Sequence, residues 1–227
     1  MTFRLLFLSI VASLILSNCN SSSTSSNKQW NTVYQNSLVN NDYMTAVVAL
    51  NHLIIEDTAN IETYYDSLSF FYIKKLRNFS AGEKIVEKGL QINPNKAQLL
   101  EYKSVFLSAQ GKINESRELL LKAYKISGLN KHLYMYATTY ASEGNIEEYS
   151  KVANGILYNP STKPELVEVN IDENNTQMVD IKSLCYLDKA KTTINKNAVI
   201  PFLDSALAIN PDYQEAMYYK NKLTGKE

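Results

Sequence analysis

An all-α chain built from repeated antiparallel helix pairs is what the sequence predicts, and three observations predict it. Apolar residues return at helical spacing from residue 29 almost to the end. Glycine and proline are scarce, with 7 and 5 copies, which disfavours a turn-rich β-sandwich. Those that occur keep a beat, because Gly144 follows Gly111 by 33 positions and Pro160 follows Pro94 by 66. A helix with one apolar stripe cannot bury it alone, so each pair must close on itself and lie against its neighbours. At 227 residues, 45% hydrophobic and 20% charged, the chain suits one domain or one repeat array with a sizeable core.

The first 18 residues carry Arg4 and then an apolar run from Leu5 to Leu16. That run falls short of the about 20 residues that cross a bilayer and fits the core of an export signal. Its end, Leu16-Ser17-Asn18-Cys19, resembles the lipobox of bacterial lipoproteins, with Asn18 where glycine, alanine or serine is usual. The resemblance implies that residues 1–18 are removed and that Cys19 is diacylated and becomes the first mature residue. The Ser-rich stretch that follows makes residues 19–28 an acylated tether. The other cysteine, Cys185, lies between Leu184 and Leu187 and reads as a buried, inert thiol.

Residues 29–159 hold four pairs. In the first, Trp30, Val33 and Tyr34 precede a polar turn at Asn40-Asn41-Asp42, and Tyr43, Ala46, Leu50 and Leu53 follow it. Asparagine at 41 suits a left-handed turn residue. The second has Tyr64, Leu68 and Phe71, then Phe79, Gly82, Val86, Gly89 and Leu90, with KKLRNFS lengthening the turn by a residue or two. In the third, Leu99, Leu100, Val105, Phe106 and Leu107 are expected on one side of a helix, Gly111 turns the chain, and Ile113, Leu119, Leu120 and Ala123 return. The fourth runs from Leu133, Tyr136, Ala137 and Tyr140 through Gly144 to Ile146, Val152, Ala153 and Ile156. Residues 160–177 break the beat and read as a loop insertion or short extended excursion, with Pro164 and the alternating LVEVNI. Residues 178–223 hold a fifth pair, with Ile181, Leu184, Leu187 and Ala190 on one helix and Val199, Phe202, Leu203 and Ala206 on the other. A last helix from about Tyr213 to Leu223 would cap the array, with Asp212 placed as its N-cap.

The spacing of Trp30, Val33, Tyr34 and Ser37, at i, i+3, i+4 and i+7, resembles the first helix of a tetratricopeptide repeat, a helix pair of about 34 residues. SALAINPDYQEAMYYKNKL resembles the junction between adjacent repeats of that family. The resemblance implies a right-handed superhelical array of about five pairs plus a capping helix, with a concave groove lined by the first helix of each pair. The family's inward-facing positions carry over to Asn31, Gln35, Tyr65, Ser69, Tyr72, Glu101, Tyr134 and Thr138. Tyr65, Tyr72 and Tyr134 would be rigid anchors for a partner, or else pack between helices; both readings stand at this point. No basic clamp for a terminal carboxylate can be assembled from these positions.

Lys+Arg and Asp+Glu both number 23, and loss of a leader containing Arg4 leaves a net charge of −1. No basic face for nucleic acid follows from that balance. His52 and His132 stand alone beside leucines, and no nucleophile, phosphate-loop, dinucleotide or metal-ligand motif is present. The expectation is therefore a non-enzymatic protein with no cofactor and no metal. It would be lipid-anchored at a bacterial cell envelope, the outer membrane before the inner, with its body in the periplasm or at the cell surface. Its array would bind another envelope protein or a peptide segment as scaffold or assembly factor. The alternative is a glycan- or small-molecule-binding lipoprotein that uses the helices as a frame.

Overall fold

The computed structural model describes residues 26–159, 163–173 and 175–225. Cys19 and the leader lie outside the described residues. The chain divides into two units, 1–102 and 103–227. The first holds α1 (26–39), α2 (Tyr43–Glu56), α3 (Ile61–Phe70) with a π turn at Phe71–Lys75, α4 (Phe79–Ile92) and the start of α5 (Ala97–Ala109). The second holds the rest of α5, α6 (Ile113–Ser127), α7 (Asn130–Ser142), α8 (Ile146–Leu157), β1 (Leu166–Asn170), β2 (Thr176–Asp180), α9 (Ile181–Thr192), α10 (Lys196–Ile209) and α11 (Gln214–Thr224).

Four pairs turn by one device. Asn41, Arg77, Gly111 and Gly144 all have positive φ, between 51° and 77°. This left-handed residue ends the first helix, and only glycine and asparagine adopt it cheaply. The next N–H, from Asp42, Asn78, Lys112 or Asn145, then donates back to the carbonyl of Ser37, Tyr72, Leu107 or Tyr140 at 2.8 to 2.9 Å. Asp42, Asn78 and Asn145 also cap the following helix, their side chains accepting from Thr45, Ala81 and Glu148 N–H. Counted from the left-handed residue, the second helices bury the same three offsets. Five on are Ala46, Gly82, Ser116 and Tyr149; nine on are Leu50, Val86, Leu120 and Ala153; twelve on are Leu53, Gly89, Ala123 and Ile156.

The second pair carries one more residue than the others. Its return bond, Asn78 N–H to Tyr72 carbonyl, spans six positions, where Asp42 to Ser37, Lys112 to Leu107 and Asn145 to Tyr140 each span five. The extra residue expected in the loop is instead absorbed at the end of the helix, as the π turn Phe71–Lys75. In the third pair Leu99, Leu100 and Leu107 are buried, but Val105 is exposed. Val105 follows the buried Ser104 and so faces away from the core.

The excursion expected at 160–177 holds the two antiparallel strands β1 and β2, and the second runs on to Asp180, directly into α9. Alternation places Val167, Val169 and Val179 against the core of α9, α10 and α11. The hairpin also closes three helix N-termini. The Glu165 carboxylate accepts the Asn130 and Lys131 N–H groups of α7, at 2.8 and 2.5 Å. Asp180 accepts from Lys182 N–H at the start of α9. Gln177 accepts from Gln214 N–H of α11 and donates to the Asp212 carbonyl. The expected Asp212 cap is therefore replaced: Tyr213 holds the N-cap position without a side-chain bond, and Gln177 of the hairpin supplies the acceptor.

Gly82 and Gly89 let α3 and α4 approach closely. A Cβ at Gly89 would stand 2.5 Å from Leu99 Cδ1 and 3.2 Å from Tyr65 Cβ, whereas one at Gly155 on α8 would meet nothing within 4 Å. Gly89→Ala is expected to destabilise the protein by about 1–3 kcal/mol through overpacking. Gly155→Ala should stabilise it by about 0.5–1 kcal/mol through helix propensity alone. Denaturant unfolding of the two variants beside the parent checks the opposite signs.

Candidate functional site

In the first unit, residues from α1, α3 and the start of α5, joined by two from the turn and first residue of α2, surround a cavity of about 510 Å³. Tyr34 and Leu38 come from α1, Asn41 and Tyr43 from the turn into α2, Asp66, Ser67, Phe70 and Phe71 from α3 and its π turn, and Gln98 and Tyr102 from α5. The rings hold one another in place around Phe71, which lies 6.3 Å edge-on from Tyr34, 5.8 Å from Tyr43 and 5.5 Å from Phe70 between centroids. Lys75 extends over the rim, its Nζ 5.5 Å from the Tyr43 ring centre and 5.6 Å from that of Phe70.

Asp66 is the acidic group of this wall. Its Oδ2 pairs with Lys96 at 3.2 Å, and Lys96 also reaches Glu62 at 3.5 Å. Burial by itself would lower the Lys96 ammonium's pKa, but Asp66 and Glu62 outweigh it and hold the group above its ordinary value. Asp66 Oδ1 is shut off from solvent without a hydrogen-bond partner. Burial, and then the Glu101 and Asp66 charges, push the Tyr102 phenol up, so it stays neutral at physiological pH. The wall thus presents five rings with a few amide, hydroxyl and carboxylate groups, which suits the side chain of a bound segment and supplies no nucleophile paired with a base.

The residues expected in the groove fall into three groups. Asn31 and Gln35 are exposed on α1, and Glu101 is half-buried on α5. Tyr65, Ser69 and Tyr72 are displaced by one residue from the inner face. Tyr72 receives the same return bond as Leu107 and Tyr140, which marks it as an inter-helix position. Counting back, Ser69 matches the buried Ser104 and Ala137; it is fully buried, with its hydroxyl donated to the Tyr65 carbonyl at 2.8 Å. Tyr65 packs against Gly89. The inward set on α3 is Asp66 and Phe70, one residue further on. The signal was present in the sequence: the spacing of Trp30, Val33, Tyr34 and Ser37 recurs as Tyr65, Leu68, Ser69 and Tyr72.

In the second unit Tyr134 is half-buried and packs against the core. Its hydroxyl donates to Asp188 Oδ2 at 2.9 Å, and Tyr149 donates to the same oxygen at 2.6 Å. Burial and then the Asp188 charge push both phenols up, which keeps both as donors. Thr138 donates to the Met135 carbonyl of its own helix. Ser127 Oγ lies 2.8 Å from His132 Nδ1, but it also bonds the Ala123 carbonyl and the Leu129 N–H, and His132 is buried. That pair closes the α6–α7 corner. Cys185 is buried, and burial raises its thiol pKa, as expected for an inert thiol. Among the described residues no group of three His, Cys, Asp or Glu could hold a metal ion, and no helix is long and apolar enough to cross a membrane.

Solved structures share the fold of repeated helix pairs. A tetratricopeptide repeat protein from Parabacteroides merdae superposes with a TM-score of 0.64 at 11% identity, over 88% of this chain and 72% of that one. YrrB, described as a TPR protein with an unusual peptide-binding site, gives 0.55 at 15% identity, over 85% and 90%. MamA from Desulfovibrio magneticus gives 0.59 at 10% identity, over 83% and 97%. No family model matches the chain, and no curated protein matches it. The fold is that of the tetratricopeptide repeat proteins.

The one-residue displacement on α3 is open to measurement. Tyr65→Ala should cost about 1–3 kcal/mol of stability by opening the α3–α4 packing, while Phe70→Ala, on the open wall, should stay within about 1 kcal/mol of the parent. Thermal and denaturant unfolding of the two variants would show the reverse order if the inner face were Tyr65, Ser69 and Tyr72.

Proposed function

We propose that the chain is a non-enzymatic, lipid-anchored protein of a bacterial cell envelope whose repeat array binds another envelope protein, as scaffold or assembly factor. The observation that carries the binding reading is the ring-lined cavity between α1, α3 and α5. Aromatic walls stiffened by their own contacts lose little conformational entropy when a partner arrives. An apolar side chain of an extended segment or a partner helix would fill the cavity among Tyr34, Phe70 and Phe71, while Asn41, Ser67 and Gln98 bond its backbone or polar neighbours. The fold itself supports the same reading, since YrrB is described as having a peptide-binding site on such a frame. The lipobox-like Leu16–Cys19 supports the anchor, and two or three acyl chains at about 0.8 kcal/mol per buried methylene would make it lasting.

Crosslinking in native cells followed by mass spectrometry is expected to recover one stoichiometric protein partner. Tyr34→Ala with Phe70→Ala should cut that recovery about tenfold or more with the fold retained by circular dichroism. Sugar-dependent thermal stabilisation without a protein partner would favour the glycan-binding alternative. Cys19→Ser should release the protein from the membrane fraction or leave the precursor unprocessed; unchanged fractionation and mass would refute the anchor.

A further inference from the structure

The outer face of α2 differs in kind from the matching faces of the other second helices. Three, seven and fourteen residues after the left-handed turn residue, each second helix points outward at one exposed stripe. In α4 these positions are Ser80, Lys84 and Gln91, in α6 Asn114, Glu118 and Lys125, and in α8 Glu147, Lys151 and, just past the helix, Tyr158. In α2 they are Met44, Val48 and Ile55, which are 62%, 50% and 76% exposed. The helix YMTAVVALNHLIIE has Glu56 as its only charged residue, at its last position. The one polar side chain between them, Asn51, already donates its amide to the Val47 carbonyl at 2.8 Å, and the one charge of the helix stands at its last position beside Ile55, so the row has a small desolvation cost to meet when it enters an apolar phase.

Where the chain enters this unit says which phase lies nearest. The Asn27 side chain donates to the Glu56 carbonyl at 3.4 Å, so the start of α1 sits beside the end of α2, next to Ile55. Asn27 is eight positions after Cys19, and a fully extended chain of that length spans at most about 26–29 Å. The stripe from Met44 to Ile55 is about 16 Å long at helical rise. An acyl anchor at Cys19 therefore keeps the whole stripe within reach of the bilayer surface, at an effective concentration that lets a weak contact persist. We infer that Met44, Val48 and Ile55 rest in the interfacial layer of the membrane, so that α2 seats the body on the lipid surface and leaves the α1–α3–α5 cavity for the protein partner. This rests on the Cys19 anchor proposed above.

The single tryptophan of the chain serves as a reporter. Trp30 stacks on His52 of α2, with centroids 3.7 Å apart, at the same end of the hairpin as Ile55. The acylated full chain would be reconstituted in vesicles of phosphatidylethanolamine and phosphatidylglycerol, with a phosphatidylcholine brominated near the headgroup end of its acyl chains. Trp30 emission should be quenched by the brominated lipid. Most of that quenching should be lost in Ile55→Glu, and in Met44→Glu/Val48→Glu/Ile55→Glu, while both variants still float with the vesicles and keep the parent's circular dichroism. The single variant at the most exposed position guards against misfolding of the triple one. A parent that floats with unquenched Trp30, or quenching that survives both variants, overturns the inference and leaves the anchor standing; crosslinks from residue 48 to another protein would then identify what covers the face. A parent that does not float overturns both.

Discussion

Each of the first four helix pairs depends on one backbone residue in the left-handed conformation. When Asn41, Arg77, Gly111 or Gly144 takes positive φ, the next N–H turns back onto the preceding helix and the following residue opens a new one. That single bond sets the phase of two helices at once. Everything counted from it, inward or outward, then falls at the same offset in each pair: the small or apolar buried positions on the second helix, and the exposed stripe behind them. The fifth pair, α9 and α10, has no such residue; it is instead opened by the hairpin strand, and Asn195 in the turn between its helices N-caps α10.

Because the phase is local, one inserted residue has a local price in register. The second pair holds that residue as a π turn at Phe71–Lys75, which keeps the helix continuous and the turn intact but shifts α3 by one position relative to a count made back from Arg77. The consequence for the site is direct. Asp66 and Phe70 face the cavity, and Tyr65, Ser69 and Tyr72 bind α3 to α4. Arg77 takes positive φ here without being glycine or asparagine, at a steric cost that the surrounding packing must offset. Phe71, inside the bulge, is the ring about which Tyr34, Tyr43 and Phe70 arrange themselves.

The hairpin shows a different solution to a problem every helix end poses. Orphan N–H groups at the starts of α7, α9 and α11 need acceptors, and Glu165, Asp180 and Gln177 provide them from one short β element. Its valines meanwhile cover the core that α9, α10 and α11 share. Two strands are marginal by themselves. Here the strands are held by the helices they cap, and the helices start where the strands allow.

Helix pairing, the turn at each of Asn41, Gly111 and Gly144, and the buried second-helix positions were legible in the sequence, since all three follow from local periodicity and from which residues tolerate positive φ. So was the inertness of Cys185, set between two leucines. The face of α3 was legible in the spacing that Trp30, Val33, Tyr34 and Ser37 share with Tyr65, Leu68, Ser69 and Tyr72, but not from a count back from Arg77, which the π turn shifts by one; the Asn78–Tyr72 bond shows where the extra residue went. Nor was the packing of Tyr134 legible: it holds an inward position by number, but Asp188, 54 residues later, accepts from its hydroxyl and ties it to α9. Likewise the cap of α11 comes from Gln177 and not from the adjacent Asp212. Local sequence determines which residues can form helices, turns and stripes; which stripe is covered, and by what, depends on partners far along the chain, and only the tertiary structure decides that.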